Sequence, residues 1–405
     1  PPTPSLKGGG NGNGYDAVIL GVPEPMTAQI NRFYTVEFLR EVAAVMAPGG
    51  VLGLQTPSSD TYLGDELLRL NAVLLRTVRE VFPQVALLPG DPLVLAASRT
   101  AALTEDAEVL RARLDALQID APDFRAHAWD RLFPFEVRQV RETLDGAPPL
   151  PLNTDARPIG YFYGQAYWVA QHSRSSWAFF NALSRVTLGH LVAAVLLLLA
   201  LAAAAGLASR RAAATAVPAA ILGTGWVSMA LEVTLLFAFQ VYYGYVYQQL
   251  GVITGAFMVG RASGAMRGGR TAEQANSRRA WGLMIGAQLA LAAEALLLPT
   301  VLHGLSGLQL QSALLIQVLF PVLTALVGLV VGVQFPLAAH LSSAANATHA
   351  GARLYAADLI GACLGAAVAG AMLLPVLGLT GTCLTAAAVS GGLAVLLVLD
   401  RGRTP

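Results

Sequence analysis

The chain has 405 residues, of which 55% are hydrophobic and only 13% charged, with a formal net charge of +1. That charged share is about half the usual share of a soluble domain, and no basic stretch is interleaved with aromatics, which excludes a nucleic-acid-binding protein. The balance is uneven: residues 1–187 hold 16 Lys/Arg and 20 Asp/Glu, whereas residues 188–405 hold 10 and 5. So few acids over so long a stretch is a membrane composition, because each charge buried in lipid costs several kcal/mol.

Residues 1–14 read as a flexible linker, Pro1-Pro2-Thr3-Pro4 running into the Gly/Asn stretch from Gly8 to Gly14. They show neither an initiating Met nor a signal peptide, so the expectation is a fragment with further sequence upstream. Residues 15–165 read as an α/β segment. Tyr15–Leu20 is apolar and bounded by turn residues, a buried strand, and the breaker-rich loop Gly21-Val22-Pro23-Glu24-Pro25 follows. Thr35–Ala47 predicts a helix with Phe38, Leu39, Val42 and Val45 on one face, stopped by Pro48-Gly49-Gly50. Val51–Gln55 predicts a second strand and residues 63–82 a longer helix through Leu67, Leu70, Val73, Leu74 and Val78. Val85–Leu88 and Leu93–Ala97 are further strands, and a helix capped by Thr104 follows, with Glu105, Asp106 and Glu108 at its positive end.

Strands alternating with helices predict a parallel, doubly wound sheet of the Rossmann-like methyltransferase type, with ligands at the carboxyl ends of the strands. Glu24 lies in such a loop and is the candidate catalytic acid; a solvated loop carboxylate is the plainer reading of it. No phosphate-cradling glycine fingerprint follows a strand here, so no cofactor site is complete within this chain.

Residues 166–187 read as a connector and 188–400 as an all-α membrane bundle of about seven transmembrane helices. The spans fall near Leu188–Ala208, Val217–Gln240, Tyr247–Gly264, Trp281–Leu302, Leu314–Leu337, Leu354–Leu377 and Leu379–Leu399. Val241–Tyr245 is an aromatic interfacial turn. Gly251/Gly255, Gly260/Gly264, Gly328/Gly332 and Gly361/Gly365 are small-residue pairs that let helices approach, within the bundle or toward a membrane partner or second copy. Cys363 and Cys383 sit in apolar runs and read as small core residues, without metal spacing or disulfide. The intramembrane charges are Glu232, Arg261, Glu294 and Asp358. They offer a proton or ion path through Glu232 and Asp358 or, more plainly, pairing within the bundle, with Arg261 placed to neutralise Glu232.

Three stretches carry a resemblance to a known family. Tyr15–Pro25, Phe33-Tyr34-Thr35-Val36-Glu37-Phe38 and Ala47-Pro48-Gly49-Gly50-Val51-Leu52 resemble the second half of a spermidine synthase (polyamine aminopropyltransferase) domain. Asn153-Thr154-Asp155-Ala156-Arg157-Pro158 is similar to a segment of the multi-pass, membrane-fused members of that family. So are Met229–Glu232, Tyr243–Tyr247, Phe335-Pro336-Leu337 and Leu354–Ala362. The resemblance implies polyamine biosynthesis: aminopropyl transfer from decarboxylated S-adenosylmethionine to a polyamine. One loop acid would deprotonate the amine and a second bind it, with Glu24, Gln55 and Asp155 as substrate contacts and the cofactor half upstream. The sequence departs from the family at the first acid, where Gly21 stands, and keeps the second as Glu24.

Three readings follow. One is a membrane-bound transferase of the spermidine synthase type. Another is a non-enzymatic scaffold that docks through a degenerate α/β domain, and the third is a small-cation transporter. The implied location is the bacterial inner membrane. Arginines at 210, 211, 267, 270, 278, 279, 353, 401 and 403 fall on one side of a seven-span topology and put the α/β segment outside, whereas the transferase reading requires the cytoplasm.

Overall fold

A computed structural model describes residues 14–59, 63–118, 134–171, scattered positions between 181 and 200, 213–243, 247–307, 313–342 and 347–401. The chain divides into two compact units, Pro2–Ser184 and Arg185–Pro405.

The first unit is built on four strands: β1 Tyr15–Leu20, β2 Met46–Thr56, β3 Gln84–Leu88 and β4 Leu93–Ser98. The longer helices are α1 Val36–Val45, α2 Asp65–Val81, α3 Ala107–Ala116, α4 Pro134–Asp145 and α5 Ile159–Ala170. The sheet order is β1-β2-β4-β3. β1 runs parallel to β2, but β4 is antiparallel to both its neighbours. The expected parallel sheet is therefore mixed. The cause is the connection from β3 to β4: four residues, 89–92, close a hairpin, whereas a parallel return needs a dozen or more.

The periodicities behind the helices are real. Thr35 caps α1, accepting a bond from the Phe38 N–H, and the helix buries Val36, Leu39, Val42 and Ala43. α2 buries Leu67, Leu70, Val73, Leu74 and Val78, about 1.5–3 kcal/mol for each large side chain, and packs chiefly against α5 and α1. The cap of α3 is Asp106 rather than Thr104, because the Asp106 carboxylate reaches the Glu108 and Val109 amides; Thr104 instead accepts from the Asp106 N–H. Pro48-Gly49-Gly50 lies within β2, so the strand starts directly where α1 ends. β1, expected to be buried, is an edge strand: among the described residues it pairs on one side only, and Ile19 is 82% exposed.

In the second unit the long helices are α6 Ala213–Tyr243, α7 Tyr247–Gln274, α8 Ser277–Gly307, α9 Ala313–Ser342, α10 Ala347–Val368 and α11 Gly378–Arg401. A π-helical stretch, Ala369–Leu377, joins the last two, and Gly378 breaks the run at φ +75°, a conformation open to glycine. Four helical segments are long and apolar enough to cross a membrane: Ala216–Val241, Ser277–Gly304, Ile316–Ser342 and the run His349–Arg401. The expected count of seven is not reached among the described residues. Most of Leu188–Ala208 lies outside them. α7 carries Arg261, Arg267 and Arg270 and is not among the four, and the two expected C-terminal spans fall within the one segment His349–Arg401, which Gly378 interrupts. α9 is unbroken over 30 residues, about 45 Å, too long for a re-entrant turn.

Glycines set the helix pairing. A Cβ at Gly260, Gly264, Gly328 or Gly332 would overlap the backbone of the facing helix, so α7 and α9 touch along their main chains. Gly361 and Gly365 do the same for α10 on Leu222 and Trp226 of α6. Residue numbers rise together in both contacts, so α7 runs parallel to α9 and α10 parallel to α6. Gly251 and Gly255, expected to serve likewise, meet nothing within 4 Å. Cys383 is buried as expected, whereas Cys363 lies on the outer face of α10; both thiols are free.

Candidate functional site

The carboxyl edge of the sheet is assembled from three connections. The loop after β1 carries Glu24, and the connection after β2 leads into α2, whose first turn holds Glu66. The hairpin before β4 carries Asp91, and because Thr56 pairs with Leu93, Asp91 lies beside the end of β2. α5 closes over this edge. Gly164 permits it, since a Cβ there would stand 2.7 Å from the Pro25 carbonyl oxygen, and Gln165 donates to the Met26 carbonyl at 3.2 Å.

Tyr167 of α5 lies within the field of these acids. Burial pushes its hydroxyl above the ordinary tyrosine value, a hydrogen bond with Gln171 opposes this, and the charges of Asp91, Glu24 and Glu66 add to the rise. Three carboxylates from three separate connections therefore act on one phenol. Glu66 also faces the positive end of α2, which accounts for part of its placement. A mouth of this kind attracts ammonium groups and holds them by charge-assisted hydrogen bonds.

The loop itself is held by Tyr34. Its hydroxyl lies 3.2 Å from the Val22 carbonyl oxygen, 3.1 Å from that of Pro23 and 3.4 Å from that of Gln55, tying the ends of β1 and β2 together. Burial, and secondarily the charge of Glu24, push this phenol up to about 12. Gly21 is exposed, and a Cβ there would meet nothing within 4 Å, so an acid would fit at this position.

Of the expected contacts, Glu24 and Gln55 are exposed at this edge, and the Tyr34 hydroxyl joins the Gln55 carbonyl to those of Val22 and Pro23 in the Glu24 loop. Asp155 is placed elsewhere. It accepts from the Thr35 hydroxyl at 2.7 Å, and its N–H donates to Glu37 at 3.0 Å, so it locks the segment 153–158 onto the start of α1. Burial raises its carboxyl to about 6; Glu37 and Glu41 add to this, while the Thr35 bond and Arg32 oppose it.

Asn153 completes that lock. Its amide donates to Asn31 at 3.0 Å and to the Tyr34 carbonyl at 2.9 Å, its oxygen accepts from the Gly160 N–H at 3.0 Å, and its backbone N–H donates to Thr77 at 3.1 Å. Sequence reasoning missed Glu66, Asp91, Tyr167 and Asn153. Only the spacing Gly160/Gly164 hinted that α5 presses on another element.

In the bundle, Arg261 of α7 pairs with Asp358 of α10, not with Glu232 as expected. Glu294 of α8 has one carboxyl oxygen buried without a hydrogen-bond partner.

No family profile matches the chain. Among curated proteins it is similar to polyamine aminopropyltransferase 2 of Hyperthermus butylicus, 33% identical over 165 residues. The match covers 36% of this chain and 48% of that enzyme, so the chain spans about half the length of the curated relative it matches.

Proposed function

We propose that this is a multi-pass, spermidine synthase-like protein of a bacterial inner membrane. Its α/β unit receives a polyamine at the mouth formed by Glu24, Glu66, Asp91 and Tyr167. The three carboxylates on three connections at the carboxyl edge of the sheet support the reading, because they match a ligand bearing several ammonium groups. The likeness to a polyamine aminopropyltransferase points to the same ligand.

Transfer requires more than binding. A carbon–nitrogen bond forms at the methylene beside the sulfonium of decarboxylated S-adenosylmethionine, the carbon–sulfur bond breaks, and the attacking amine gives up a proton. The residue placed by resemblance to take that proton is Gly21, which cannot. Tyr34, held high by burial, is a poor base at neutral pH. The second reading, a docking module that keeps polyamine affinity without turnover, rests on this substitution.

The experiment supplies putrescine and decarboxylated S-adenosylmethionine to the full chain in nanodiscs and reads spermidine by mass spectrometry, for wild type, Gly21→Asp and Glu24→Gln. Turnover in wild type that Glu24→Gln abolishes establishes the transferase. Turnover only in Gly21→Asp establishes a binding fold that has lost its base. Neither turnover nor polyamine binding in any variant would sink the polyamine reading.

A further inference from the structure

The second unit holds a polar stripe that the α/β site does not use. Thr224, Ser228 and Glu232 recur every four residues on α6, one face over about 12 Å of helix. Their exposures are 2%, 0% and 3%. Thr224 meets Gln334 of α9 at 2.8 Å and accepts from Gln288 of α8 at 2.7 Å, and the two amides bond each other at 2.9 Å. Gln288 Oε1 and Gln334 Nε2 each remain without a hydrogen-bond partner, although both residues are wholly buried.

At the other end of the stripe, the Glu232 carboxylate accepts a bond from Thr254 of α7, and its Oε2 has no hydrogen-bond partner. Arg261 lies two turns further along the same face of α7 and acts on Glu232 by its charge, yet its guanidinium is committed to Asp358. The backbone of Asp358 presses on Gly225 of α6, which fixes that acid beside the same helix. Two buried carboxylates thus share one arginine. An unpaired carboxylate among apolar helices is costly, and a single positive charge removes the cost.

We infer that Glu232 is a proton-binding site within the helical unit: its carboxylate takes up one proton, balancing the charge that Arg261, engaged by Asp358, leaves uncompensated. From α7 the facing groups are Arg261 and Thr254, and from α10 Asp358 through Arg261. α8 brings Glu294, α9 has no ionisable residue before His340, and α11 brings Cys383 and Asp400; the charge that reaches Glu232 is that of Arg261. When the proton leaves, Glu232 and Asp358 compete for one guanidinium, so protonation selects which of α6 and α10 is tied to α7.

The test is infrared spectroscopy of the full chain in nanodiscs, following the carbonyl stretch of neutral carboxyl groups across a pH titration. The expected result is a neutral-carboxyl band at neutral pH with one component lost in Glu232→Gln and kept in Glu294→Gln; Glu294, whose carboxyl oxygen is also buried without a partner, supplies a separate component. Glu232→Gln, the isostere of the protonated acid, should fold with an unchanged melting temperature. A band undiminished in Glu232→Gln, no neutral-carboxyl band at all, or failure of Glu232→Gln to fold would overturn the inference. So would a titration that shifts with sodium concentration, which would mean a metal cation in place of the proton.

Discussion

Replacing Asn153 by leucine tests the lock on which the acidic mouth depends. The exchange keeps the side-chain volume close and leaves both backbone bonds, from Asn153 to Thr77 and from Val36 to Asn153, in place. It removes three side-chain bonds, to Asn31, the Tyr34 carbonyl and the Gly160 N–H. Asn31 can turn its side chain, but the Tyr34 carbonyl and the Gly160 amide are fixed by the backbone and buried. At about 1–3 kcal/mol for each stranded buried group, these two alone cost about 2–6 kcal/mol. For a unit of this size that lowers the melting temperature by about 5–20 °C, a large part of a total stability of about 5–15 kcal/mol. The assay is thermal unfolding of the α/β unit within the full chain in nanodiscs, followed by protease susceptibility of residues 14–171. A drop below about 2 °C would refute the reasoning, since it would mean that the buried partners find bonds elsewhere.

Three further outcomes follow from the same structure. Asp155 is raised to about 6 in the folded chain from an unfolded value of 3.8, so the folded state binds the extra proton between these values and stability falls as pH rises through that window. The penalty, up to about 3 kcal/mol, is complete above pH 6; Asp155→Asn should flatten melting temperature against pH between 4 and 6 and stabilise at pH 7, and an unchanged profile would contradict this. Arg261→Gln strands Asp358 and should cost about 3–5 kcal/mol in detergent unfolding, largely recovered by adding Asp358→Asn; no recovery would argue against the pair. Gly264→Leu should separate α7 from α9 and lower the yield of folded protein, while Gly251→Leu, which faces open space, should leave it unchanged.

Much of the α/β unit was legible because its elements carry their own periods. α1 and α2 sit within two residues of their expected bounds, since apolar residues every three or four positions have only one way to face a sheet. Strand direction is not written in periodicity. It followed instead from the length of the β3–β4 connection, which was readable as a hairpin and was outweighed by the alternation of strands and helices. β1 was read as buried because its sequence is apolar; burial depends on what lies beside it, and Ile19 has no covering element among the described residues.

The site was legible only in part. Glu24 and Gly21 belong to one loop and could be found by local pattern. Asp91 joins them because the end of β2 pairs with the start of β4, and Glu66 because α2 follows β2, both facts of topology. The partner of Arg261 was misjudged for a similar reason. Neighbouring spans suggested Glu232, but glycines at 225 and 361 bring α10 against α6 and place Asp358 within reach of the guanidinium.

The most direct test of the central claim is calorimetric titration of spermidine into the full chain in nanodiscs, at low and at physiological salt. The account predicts saturable binding that weakens with salt and falls at least about tenfold, about 1.4 kcal/mol, when Glu24, Glu66 and Asp91 are neutralised together as Glu24→Gln, Glu66→Gln and Asp91→Asn. Binding that persists undiminished in that variant, or no binding in wild type, would contradict it.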